Sequence, residues 1–62
     1  MSTEYTFFCA ELKETFKIKD TIRARAFNCA NKHFKPLFEG AGLKFGGWNP
    51  DQTKTVMTAK ID

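Results

Sequence analysis

The sequence predicts an α+β fold, a small two-layer sandwich with one helix packed on a mostly antiparallel sheet, in the order strand-strand-helix-strand-strand. Three observations carry this expectation. Only residues 20–38 place apolar side chains at helical spacing. The segments on either side alternate, or run apolar, over lengths typical of strands. Finally, 62 residues with 42% hydrophobic and 15% aromatic side chains can bury one small core and no second. Residues 1–62 therefore read as a single domain, without repeat, linker or low-complexity tract, with residues 1–3 and Asp62 as loose ends.

In residues 5–12, Tyr5, Phe7 and Cys9 alternate with Phe8, Ala10 and Leu12, so both faces are apolar, as in a strand that is central or covered on both sides. One of Tyr5 and Phe8 then lies on the outer side as an exposed aromatic. Lys13-Glu14 reads as a tight polar connection, although it lacks the Asn-Gly or Asp-Gly signal of a two-residue hairpin. Phe16 and Ile18 then point inward against Thr15, Lys17 and Lys19, which gives the hairpin a basic outer face.

Asp20 suits an N-cap, its carboxylate accepting from the free amides of a first turn that begins at Thr21. At about 100° per residue, Ile22, Ala26, Ala30, His33 and Leu37 form an apolar stripe, edged by Cys29 on one side and by Phe27, Phe34 and Phe38 on the other. Arg23 projects toward that stripe and is expected to snorkel outward from the first turn. Pro36 removes a donor and disfavours helical geometry at Lys35, so the regular helix is expected to end near Phe34 or Lys35, with Gly40 and Gly42 forming the exit.

Leu43-Lys44-Phe45 reads as a short strand broken by a bulge at Gly46-Gly47, and Asn49-Pro50-Asp51-Gln52 as a turn. Residues 53–61 complete the sheet, with Met57, Ala59 and Ile61 on one face and Lys54, Val56, Thr58 and Lys60 on the other.

Composition limits function more than it defines it. A net charge of +3 and a pI near 9.1 favour polyanionic partners, as they also favour solubility. Met1-Ser2-Thr3-Glu4-Tyr5 has neither the basic start nor the apolar run of a secretory leader, and no segment reaches membrane-spanning length, so the expected setting is cytoplasmic. In that compartment Cys9 and Cys29 are expected as reduced core thiols.

Cys9, Cys29 and His33 offer three soft or borderline metal donors where a structural zinc site needs four, so no metal is expected. His33 instead reads as a core histidine. The paired glycines follow a helix and precede a strand, the reverse of a phosphate-binding loop. The acids are scattered, no catalytic set or cofactor motif is present, and the chain reads as a non-enzyme.

The positive features are basic. Arg25, Asn28, Asn31, Lys32 and Lys35 form a helix face of cations and amides without an acid, suited to phosphates and base edges. A solvated helix face is also usually polar, but ordinarily mixes signs. Lys17 and Lys19 add charge on the hairpin, and Trp48 beside the glycines could stack on a base or anchor an interface. At the level of architecture alone, the layout resembles small helix-on-sheet DNA-binding domains and very small phage- or mobile-element-encoded proteins that bind host machinery. Two functions follow as expectations. One is a small basic nucleic-acid-binding module working through its helix face. The other is a phage-like inhibitor or adaptor that binds an acidic surface of a host protein, such as a nucleic-acid-handling enzyme.

Overall fold

Two hairpins, joined by a helix, meet in the middle of one four-stranded sheet. The computed structural model describes residues 2–62, with β1 at Thr3–Cys9, β2 at Glu14–Asp20, α1 at Arg23–Ala41, β3 at Phe45–Pro50 and β4 at Val56–Ile61. The strand order is β2-β1-β4-β3. Both hairpins pair antiparallel, whereas the central strands β1 and β4 run parallel, with Phe7 beside Met57 and Phe8 beside Thr58. The expected sandwich is present, and its sheet is mixed. The loose ends are partly tied: Thr3 pairs with Asp20 and the Asp62 amide donates to the Lys44 carbonyl, while Met1 lies outside the described residues.

Period-two alternation decides which face each strand buries. Tyr5, Phe7, Cys9, Met57 and Ala59 are buried beneath the helix, with Phe16, Ile18, Phe45, Trp48 and Ile61 packed around them. Phe7 is fully buried at the centre, its ring 5.0 Å from Trp48 and 5.4 Å from Phe27 in edge-on contacts. Phe38 and Phe45 stack at 4.9 Å. Such ring pairs contribute about 0.5–1.5 kcal/mol beyond the area they bury.

The helix departs from the expectation at both ends and in its rotation. It begins at Arg23, with Ile22 as an N-cap lacking a side-chain bond, because β2 holds Asp20 extended against Thr3. The Asp20 carboxylate instead accepts from the Ile22 amide at 2.9 Å, bending the chain out of the strand. At the other end the helix passes through Pro36 to Ala41 and closes at Gly42, φ 69°, whose amide donates to Glu39 while that of Leu43 donates to Phe38. Gly40 lies inside the helix. A proline here costs about 3 kcal/mol, and burying Phe38 recovers about as much.

The core face is Ala26 and Ala30 from the expected stripe together with Phe34 and Phe38 from its phenylalanine edge, so the buried face is turned toward that edge. The large rings win because they bury the most area. As a result Ile22, His33 and Leu37 are exposed, and His33 is not a core histidine: it lies over Phe16 at 4.7 Å. Cys29 is only half-buried, Cys9 is fully buried, and the two thiols are unbridged. Arg23, partly exposed, runs outward along the helix and ends on partners. Its guanidinium crosses Phe27 at 4.9 Å and donates to the Lys54 carbonyl at 2.8 Å, tying the helix to the β3–β4 turn.

The turns also shift. β1 stops at Cys9, and residues 10–13 form the connection, with Lys13 forced to φ 53°. Because an L side chain is strained there, Lys13→Gly is expected to raise stability by about 0.5–1 kcal/mol, read as a higher urea midpoint at unchanged slope.

Asn49 and Pro50 belong to β3, an edge strand that tolerates a missing donor. The bulge is where expected, the pairing stepping from Phe45↔Ile61 to Gly47↔Lys60 with Gly47 at φ 127°. The true turn runs from Asp51 to Thr55. There the Asp51 carboxylate accepts from the Thr53 hydroxyl at 2.8 Å and from the Val56 amide at 3.4 Å. Chiefly the Thr53 bond, aided by backbone amides, holds the Asp51 carboxyl below its ordinary range. Its support for the turn is therefore complete above the ordinary carboxylate pKa and is lost as pH falls through the lowered folded value. The Val56 amide resonance should shift with a midpoint below that of a free aspartate, and Asp51→Asn should abolish the transition.

Candidate nucleic-acid interface

The basic residues singled out from the sequence do not form one surface. Arg25, Asn28, Lys32 and Lys35 are exposed on the outward side of α1, whereas Lys17 and Lys19 point from β2 to the face of the sheet that the helix leaves uncovered. Helix and sheet core separate the two sets, so one small ligand cannot touch both. Trp48 is on neither: it faces the core, 5.1 Å from Phe34, and its indole N–H donates to the Asn31 side chain at 2.9 Å. Asn31 and Trp48 thus hold the helix to β3.

Extending the helix past Pro36 changes its outward face. Glu39 falls one turn beyond Lys35, at i+4, and brings an acid to a surface that looked purely basic. Arg25, itself largely exposed, lies 3.8 Å from the mostly covered carboxylate of Asp20. Asn28, Lys32 and Lys35 keep their side chains clear of any hydrogen bond or ion pair to the other described residues. Alongside this face, Asn31, Lys35, Phe38, Glu39, Leu43 and Phe45 line a groove of about 310 Å³ with an aromatic floor.

The uncovered sheet face is more uniform. Across one row lie Thr15, Phe8, Thr58 and Asn49, and across the next Lys17, Thr6 and Val56, while Lys60 continues β4 on the same side. Phe8 remains 36% exposed and Val56 39%. Of the seven phenylalanines in the chain, every one except Phe8 joins the core cluster. The cations of this face are Lys17, Lys19 and Lys60; its acids are Glu4, cross-strand partner of Lys19, and Asp62, two residues beyond Lys60 with its carboxylate against Gly46. Sequence alternation had already put Lys17, Lys19 and Lys60 on strand faces opposite the core. What it could not show is that β1 and β4 are neighbours, which gathers them around Phe8.

Cys9, buried, directs its thiol toward the Glu11 carboxylate at 3.8 Å, and among the described residues no three metal-binding side chains gather. No helix among the described residues is long and apolar enough to cross a membrane. Comparison with protein-family models, curated proteins and solved structures finds no match to this chain.

Proposed function

We propose that this chain is a small non-enzymatic nucleic-acid-binding module whose contact surface is the uncovered face of the sheet. The supporting observation is Phe8, an aromatic ring held outward on a central strand amid lysines and threonines, while every other phenylalanine packs inward. A solvated sheet face needs no aromatic at its centre, and nucleic acids offer both the charge and the flat apolar partner such a surface fits.

The reading predicts salt-dependent binding. If Lys17, Lys19 and Lys60 each neutralise a phosphate, log K should fall against log salt with a slope of about −2 for a single strand or −3 for a duplex. Titration of a labelled oligonucleotide across salt concentrations measures this slope. Absence of binding at low salt removes the proposal.

The second reading, a small inhibitor or adaptor for a host protein, draws on the groove at Phe38, Leu43 and Phe45, which adjoins the Lys32 and Lys35 helix face. It predicts a protein captured from lysate whose retention survives nuclease and is lost on charge reversal at Arg25 and Lys32.

A further inference from the structure

The register around Phe8 specifies more than a charged surface. Lys17 pairs with Thr6, two residues before Phe8 on β1, and Lys60 lies two residues beyond Thr58, the β4 partner of Phe8. Phe8 is therefore the midpoint of a diagonal from Lys17 to Lys60. One strand across at about 4.8 Å and two residues along at about 3.3 Å each, either lysine Cα lies roughly 8 Å from that of Phe8. Directly opposite them stand Thr6, across from Lys17, and Gly47, across from Lys60; the nearest acids are Glu4, diagonal to Lys17 and paired with Lys19, and Asp62, two residues beyond Lys60 and against Gly46. Thr15 and Thr58 flank the ring on its own row, with Asn49 beyond Thr58, adding short hydrogen-bonding groups beside a ring that stays 36% exposed.

We infer that this diagonal binds a single strand, with one unpaired base stacked on Phe8 and the phosphates on either side of that base taken by Lys17 and Lys60. Deepening the proposed function, the assignment rests on the sheet face being the contact surface. A duplex keeps its base faces stacked inside and presents phosphates and edges, so it cannot use the ring; an unpaired base can. A pairing of a π-face with two flanking cations selects single strand over duplex and is tolerant of sequence, since every base has a face to stack. Thr15, Thr58 and Asn49 supply the polar groups within reach of the edge of that base.

The test compares a fluorescent single strand of about ten nucleotides, within the range that one small sheet module covers, with a hairpin duplex of the same sequence at low salt. The single strand should bind at least tenfold tighter. Phe8→Leu keeps an apolar side chain on the strand but no ring, and should weaken single-strand binding about tenfold or more, whereas Phe8→Trp should retain it. Lys17→Ala and Lys60→Ala should each lower the salt slope by about 0.7. Equal or tighter duplex binding, or Phe8→Leu without effect while the lysine variants weaken binding, would overturn this inference and leave the proposed function standing. No binding to either form at low salt would overturn both. A wild-type dimer that Phe8→Leu converts to monomer would show that a second copy of the chain covers the face, and would also overturn it.

Discussion

Phe34→Ala is expected to abolish the folded state. Phe34 is 1% exposed, and its ring contacts Trp48 at 5.1 Å and Phe38 at 5.5 Å, at the junction between the helix and the β3 side of the sheet. Emptying a buried phenylalanine site costs about 3–5 kcal/mol, and a domain of this size draws about that much from its whole core. The loss also removes one anchor that holds the helix through Pro36, so the last turns would lose the packing that offsets the proline. Thermal denaturation followed by circular dichroism should show no cooperative transition. Phe8→Ala is the contrasting case, because its ring faces outward and is only partly covered, and should cost about 1–2 kcal/mol while leaving a cooperative melt. A cooperative Phe34→Ala melt near the wild-type temperature would mean that the helix presents a different face to the sheet.

Reversing the charge of Lys17 and Lys60 together should eliminate nucleic-acid binding without disturbing the fold. Both side chains are exposed, and exposed substitutions usually change stability by less than about 0.5 kcal/mol. Each reversal replaces an attraction with a repulsion; at about 1 kcal/mol per close charge pair in water, two sites amount to about 4 kcal/mol at low salt, roughly a thousandfold in affinity. Reversal of Arg25 and Lys32 should leave that binding nearly intact, because their face is turned away from the uncovered sheet. An unchanged melt with binding lost at Lys17 and Lys60 separates contact from scaffold. The opposite pattern, with binding lost only at Arg25 and Lys32, would move the working surface to the helix and favour the protein-partner reading.

Strand faces and the bulge were legible from the chain alone, since both depend on neighbours in sequence. Alternation put Phe16, Ile18, Met57, Ala59 and Ile61 inward, and the Gly46-Gly47 pair marked the irregularity that the ladder shows between Phe45 and Gly47. Gly42 was recognisable as a helix exit for the same local reason.

The helix boundaries and rotation were decided by tertiary contacts. Pro36 is a stop signal in isolation, but Phe38 stacked on Phe45 beyond it, with the Leu43 amide closing on the Phe38 carbonyl, outweighs one missing hydrogen bond. Counting apolar positions equally put Ile22, His33 and Leu37 on the stripe beside Ala26 and Ala30, whereas packing weights positions by area and turns Phe34 and Phe38 inward with the two alanines. Trp48 and Asn31 were available as contacts until the fold joined them to each other.

The sequence by itself determined that Lys17, Lys19 and Lys60 alternate away from the core and that either Tyr5 or Phe8 faces outward, while its candidate site lay mainly on the helix face with Trp48. Only the tertiary structure decided which of them share a surface. That choice rests on the parallel pairing of β1 with β4, a contact between residues some fifty positions apart, and local spacing carries no information about it because either hairpin satisfies its own alternation whatever strand it lies beside.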